Sequence, residues 1–270
     1  MGEQSGSEES VTVVTLTRYR PVEVQRAMRS VRAQRAGVTV RHLVLIDDNR
    51  EIQVALDEVA ADFPLCEIRY VPREPHETSG PGRASRLRNM GVRHASSTWI
   101  AFLDDDNEWD PDHLHSLLSC VREHRTRAAF SDVRLLRTDG TPYREPRWPW
   151  ANSTAEAEAT YRELAARGIC EPGSNVIRHR PDALDVPVDT SAWLLHRQLL
   201  LEVPFDDHFS AADAQHLVSE DDKLFHRLNE RGEPITATGR ATLHYYLGGY
   251  SNSAETVAPT ERDAISWASE

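Results

Sequence analysis

Phe102-Leu103-Asp104-Asp105-Asp106-Asn107 is the stretch whose reading decides the fold. The apolar run Trp99-Ile100-Ala101-Phe102-Leu103 leads into three consecutive carboxylates, and a helix start, Asp110-Pro111-Asp112, follows. Apolar residues feeding into acids read as a buried strand whose carboxyl end delivers them to a crevice, which is where open α/β sheets bind ligands. Three adjacent acids repel one another, so positive charge is expected among them. A hard divalent cation with oxygen ligands and substrate phosphates suits such a cluster. A solvated triplet that favours the start of the next helix is the plainer alternative.

Outward from the triplet, both flanks alternate between period-2 and period-3.6 patterning. On the N-terminal side, Val11–Leu16 reads as a strand, 21–35 as a helix opened by Pro21, and His42–Ile46 as a strand ending in Asp47-Asp48-Asn49. A helix over 50–61 and a strand over 67–71 come next, then a Pro/Gly-rich loop and a helix through Arg83, Arg86 and Arg88. Arg83 and Arg86 share a side at helical spacing and read as a solvated face, with diphosphate binding as the other option. After the triplet, Asp110 is expected to cap a helix carrying Leu114, Leu117, Leu118 and Val121, and Ala128–Leu136 is another strand. This order predicts a mostly parallel sheet with helices on both faces. If the acid-bearing strand ends share one sheet edge, Asp47-Asp48 and the triplet meet in one crevice.

The second half is less regular. Tyr143–Trp150 reads as a loop. Ser153 opens an alanine-rich helix that Gly168 closes, and Arg197–Val203 is a short helix. Residues 174–178 and 192–196 are short strands. Glu220-Asp221-Asp222 opens a helix ended by Gly232, and 235–238 and 241–246 are strand-like. The expected division is a disordered tail at 1–10, a ligand-binding half at 11–135, a second half of the same domain at 136–250, and a polar tail at 251–270.

The 270 residues carry a net charge of -12, which argues against a nucleic-acid partner. Lys223 is the sole lysine. Cys66, Cys120 and Cys170 fit no metal spacing and read as reduced thiols. No apolar run reaches the ~20 residues of a transmembrane helix, and no signal-peptide core is present. The expectation is a cytoplasmic protein, with an oligomeric state that the sequence does not reveal.

Four N-terminal pieces, taken in order, are similar to a known family: Val11–Val14 with Thr17-Arg18-Tyr19, Leu45–Asn49, Leu87–Gly91, and Phe102–Asn107. Ser219-Glu220-Asp221-Asp222 follows late in the chain. The set resembles the family 2 glycosyltransferases. That resemblance implies a GT-A fold, Rossmann-like, with an irregular C-terminal acceptor side. It also implies an inverting transfer from a nucleoside-diphosphate sugar to an acceptor hydroxyl, aided by Mn2+ or Mg2+. Thr17, Arg18 and Tyr19 would touch base and ribose, and Asp48, or Asp47, would accept a hydrogen bond from a uracil or thymine ring. Arg88 would approach base or diphosphate, Asp105 would hold the ribose or help the metal with Asp104 beside the donor, and Asp106 would ligate the cation. Asp221 matches the family's general base, with Glu220 and Asp222 beside it and Asp222 its competitor. The family's usual Pro-Thr-Tyr-Asn turn is here Leu16-Thr17-Arg18-Tyr19.

Other residues carry two readings each. His244 is a further metal ligand or a packed ring. Trp148, Trp150 and Trp193 are sugar platforms or core. Asp189 meets the acceptor or is a solvated loop acid. The acceptor is expected to be a small-molecule metabolite. Two rival functions are a sugar-1-phosphate nucleotidyltransferase, disfavoured by the absence of glycine after the first strand, and a non-catalytic nucleotide-sugar binder.

Overall fold

The computed structural model of the chain describes residues 9–75, 77, 80–151, 153–181, 186–216, 218–249 and 252. The first half runs β1 (Ser10–Thr17), α1 (Pro21–Arg32), β2 (Thr39–Asp47), α2 (Arg50–Asp57), β3 (Cys66–Val71), α3 (Pro81–His94) and β4 (Trp99–Phe102). A two-residue strand β5 (Glu108–Trp109), α4 (His113–His124) and β6 (Ala128–Leu136) follow. The second half holds α5 (Thr154–Ala166), β7 (Val176–Ile177), β8 (Trp193–His196), α6 (Arg197–Glu202), α7 (Ala211–Gln215), α8 (Glu220–Glu230) and β9 (Ile235–Tyr246).

The strands form one sheet in the order β3-β2-β1-β4-β8-β6-β9-β5, with β7 paired to β6. β3, β2, β1 and β4 are mutually parallel, and β6 runs parallel to β9. β8 is antiparallel to both β4 and β6, so it reverses direction between two parallel blocks. The expected mostly parallel sheet is therefore present. The carboxyl ends of β2, β1 and β4 lie on one edge and carry Asp47, Thr17 and the triplet.

All four residues of β4 are buried, because β1 and β8 flank the strand and side chains pack on both faces. A second buried cluster, including Val24, Met28, Ile46, Ile52 and Leu56, joins α1 and α2 to the other face of β2. α3 packs closely on β1. A Cβ at Gly91 would come within 2.8 Å of Val14 Cγ1, so only glycine allows this approach. β9 is one strand where two were expected. Gly239, at φ +62°, turns the backbone inside it, next to the irregular register of β6 between Phe130 and Val133.

Several local expectations change. Residues 1–8, 251 and 253–270 of the two expected tails lie outside the described residues. Glu9 and Ser10 are ordered, since Ser10 starts β1 and Glu9 accepts the Trp99 Nε1–H at 2.8 Å. Asp110 does not cap α4. Its carboxylate takes Arg134 at 2.6 Å, and the residue before α4 is Asp112, which makes no side-chain cap. Arg83 is not solvated but buried on Asp47 at 3.0 Å, while Arg86 reaches Glu77, also at 3.0 Å. The short elements β5 and α7 carry too few residues for a periodic signal.

Candidate active site

The turn after β1 and the turn after β2 are tied together. Asn49 accepts from the Glu51 and Ile52 amides, capping α2, and donates 2.7 Å to the Arg18 carbonyl. Of the acid pair before it, Asp47 is saturated by Arg73 and Arg83. Burial opposes its charge, but the two guanidiniums win and hold it below the usual carboxylate range. Asp48 sits at φ +51° and is half-buried; it accepts the Tyr70 hydroxyl at 2.7 Å, which lowers its pKa. Arg18 lies over the exposed Tyr19 ring, 4.6 Å from its centroid. The Thr17 hydroxyl is buried beside Asp105 without a full hydrogen bond.

The triplet is held from several sides. Ser191 Oγ accepts from the Asp104 amide at 3.2 Å and from Asn107 Nδ2 at 3.3 Å, and the Ser191 carbonyl accepts Trp109 Nε1 at 2.8 Å. Arg26 donates to the Asp106 carbonyl and stacks on Tyr246, 3.7 Å from the ring centroid. One nitrogen of Arg20, Nη1, bridges Asp105 Oδ1 at 2.8 Å and Asp106 Oδ2 at 2.7 Å. Burial pushes Asp106 up to about 7, with the Asp105 and Asp104 charges adding to it and Arg20 opposing.

Arg88 connects the triplet to the late acids. Its Nη2 lies 2.9 Å from Asp104 Oδ1 and 3.3 Å from Thr190 Oγ1, and its Nη1 donates to Glu220 Oε1. The side chain is buried, so it lies between two acid groups rather than open to the cleft. Asp189, expected near the acceptor or in solvent, accepts the Ser191 amide at 2.8 Å. Burial raises its pKa well above the ordinary value, and the charges of Asp104 and Asp221 add to this. Arg88 bonds Asp104, Glu220 and Thr190 at once, so the triplet, the Asp189–Thr190 turn and the start of α8 meet at one guanidinium.

The three late acids differ in what they touch. Glu220 is committed to Arg88. Asp222 is committed to the capping box of α8, accepting from the Ser219 amide at 2.9 Å and the Ser219 hydroxyl at 2.6 Å. Among the described residues, Asp221 has no ion pair of its own. Burial raises it to about 7, helped by Glu220 and Asp222 and opposed by Ser219 and Arg88. Asp222 also lines a cleft on α8 with Asp206, Asp213, Lys223, His226 and Arg227.

Two expected contacts lie elsewhere. Trp193 is a core residue: its indole N–H donates 3.0 Å to the Val188 carbonyl and its ring meets Phe130 edge-on at 5.2 Å, which leaves no face for a sugar. His244 stands opposite Glu108 in the β5–β9 pairing, with Nδ1 3.4 Å from Glu108 and Nε2 3.1 Å from Asp110. Its two nitrogens therefore face Glu108 and Asp110 rather than Asp106. Trp148 and Trp150 pack on each other at 4.8 Å, and Trp150 meets Tyr245. Arg20, Arg26 and Ser191 were not singled out from the sequence. The acids themselves were the available signal for Arg20, since they require a cation from somewhere.

Asp105 and Asp106, whose oxygens meet on one Arg20 nitrogen, suit a divalent ion, while among the described residues three ligand atoms converge within 4.8 Å only at Asp206, Asp207 and His208. Asp105 and Asp106 share Arg20, Asp104 meets Arg88, and burial first, then the charges of Asp105 and Asp104, raises the pKa of Asp106. Hard oxygen ligands with surplus negative charge match Mg2+ or Mn2+.

The model of the family described as glycosyl transferase family 2 matches residues 10–182, which contain every piece of the site up to the end of β7. The chain belongs to glycosyl transferase family 2. Among curated relatives, the succinoglycan biosynthesis protein ExoW of Rhizobium meliloti is 37% identical over 105 residues, 38% of this chain and 30% of that protein. The putative teichuronic acid biosynthesis glycosyltransferase TuaG of Bacillus subtilis is 35% identical over 66 residues, 24% of this chain and 25% of its own. The matches thus span a third or less of those relatives. The crystal structure of S. aureus TarS 1-349 in complex with UDP-GlcNAc has a similar fold, with a TM-score of 0.57 at 14% identity over 93% of this chain and 62% of that one. The family 2 chain therefore has the expected GT-A type of fold. Among its described residues no helix is long and apolar enough to cross a membrane.

Proposed function

We propose that this chain transfers a sugar from a UDP- or dTDP-linked donor to an acceptor hydroxyl, with inversion at the anomeric carbon. The observation that carries the reading is the Arg88 bridge, which joins the acids after β4 to the acids opening α8. Similar folds solved with UDP and with UDP-GlcNAc support the choice of donor.

In this reading Asp48 receives the base, because Asp47 is already engaged by two arginines. Thr17 and Arg18 border the ribose. Asp106, with Asp105 beside it, would hold the divalent ion, which when bound supplies positive charge against the leaving diphosphate. Asp221 is the general base. A carboxylate with a pKa near 7 is basic enough to take a proton and is about half ionised at neutral pH. It accepts the acceptor's hydroxyl proton as the new C–O bond forms and the bond from the anomeric carbon to the diphosphate oxygen breaks, releasing nucleoside diphosphate. Attack opposite the leaving group inverts the centre.

Relatives named for succinoglycan and teichuronic acid biosynthesis support a saccharide hydroxyl as acceptor. The test is product analysis with UDP- and dTDP-sugars and Mn2+. Release of UDP or dTDP with sugar transfer is expected. Release of pyrophosphate, or no turnover of a bound donor, would overturn the reading.

A further inference from the structure

We propose that Arg20 is a resident cation that holds the divalent ion's place between Asp105 and Asp106, so that ion and diphosphate enter together and neither enters well alone. The inference rests on the donor reading above and specifies how that site fills.

The geometry is that of a placeholder. A single nitrogen lies within 2.8 Å of oxygens from two different carboxylates, as an ion shared between them would. Arg20 is not locked in. It is the residue before α1, makes no helix cap, and its side chain is 36% exposed while the two acids are 10% and 19% exposed. Its charge can therefore leave toward the cleft without dragging a buried group into water. The surroundings are fixed by other residues. Arg26 holds the Asp106 carbonyl, and a Cβ at Gly249 would come within 3.2 Å of Asp106 Oδ2.

A divalent ion arriving alone must displace Arg20 or sit beside it, and two cations on one pair of carboxylates repel. A diphosphate arriving alone meets three carboxylates. When both arrive, the ion takes the carboxylates and the freed guanidinium has phosphate oxygens to bind, a match suited to its planar fork. Arg88 cannot play this part, because it is buried between Asp104 and Glu220.

The test measures binding, not turnover, using calorimetry with MnCl2 alone, UDP alone and both, on wild type, Arg20→Gln and Arg20→Lys. Thermal unfolding of each variant checks that it is folded. Wild type is expected to bind Mn2+ weakly and UDP with strong mutual enhancement. Arg20→Gln should bind Mn2+ alone about tenfold more tightly, the scale of removing one adjacent like charge near a surface, and lose most of the enhancement. Arg20→Lys should stay close to wild type, since it keeps the charge. Unchanged or weaker Mn2+ binding by folded Arg20→Gln, in a protein whose wild type binds UDP with Mn2+, overturns the placeholder and leaves the donor reading standing. Wild type that binds neither UDP nor dTDP with the ion overturns both.

Discussion

Asp104 and Glu220, far apart in the chain, are bound to the same guanidinium: Arg88 Nη2 lies 2.9 Å from Asp104, and Arg88 Nη1 donates to Glu220. This bridge fixes α8, and with it Asp221, against the end of β4. Truncating one member of a buried ion group leaves its partners uncompensated, at about 3–5 kcal/mol. Arg88→Met is expected to lose stability near the lower end of that range in urea unfolding, because Asp104 keeps some solvent. Adding Glu220→Gln should restore part of the loss by removing a stranded charge. A neutral Arg88→Met would show that the bridge does not hold the two acid groups together.

Asp221→Asn is expected to keep donor affinity and lose transfer by about 10²–10⁴-fold, the usual range for a general base. The wild-type rate should fall as pH drops through about 7, where Asp221 takes a proton. The residual activity of Asp221→Asn should lack that acid limb. If instead Asp222→Asn abolishes the limb, the assignment moves one residue.

The same burial that tunes Asp106 has a cost in stability. Its folded pKa, about 7, lies above the ordinary 3.8. Between these values the folded state holds more protons than the unfolded one, so the contribution to stability falls as pH rises through this window and is least favourable above 7. Without added ion, Asp106→Asn should be more stable than wild type at about pH 8, by roughly 1–3 kcal/mol after allowing for solvent, with the gap closing toward about pH 4. Thermal scans across pH measure this directly. A gap that widens with acidity would contradict the sign.

Gly91→Ala should destabilise by about 1–3 kcal/mol, since its Cβ would press on the Val14 side chain at 2.8 Å and push α3 off β1. Val14→Ala combined with Gly91→Ala should recover part of the loss in chemical denaturation. Additive losses would place the strain elsewhere.

What could be read from the sequence follows from how local each signal is. β2 and β4 carry apolar runs and β1 and β6 are largely apolar or β-branched, so the sheet, with acids after β2 and β4, was legible. Trp193 could not be resolved, because an aromatic beside an acid looks the same whether it meets a sugar or Phe130. The three late acids were equally alike until partners separated them, Glu220 on Arg88 and Asp222 on Ser219. Arg20 and Ser191 act through contacts distant in sequence and leave no local pattern. Arg83 misled because helical spacing gives a direction and not a partner; Asp47 waits on that side.

The central claim is that the acids after β4 hold an ion against a bound nucleotide. It is tested most directly by titrating UDP into wild type and Asp106→Ala, each with Mn2+ and with EDTA. The account predicts tight binding only for wild type with Mn2+, and loss on adding EDTA or removing Asp106. Equal UDP affinity in all four conditions would contradict it.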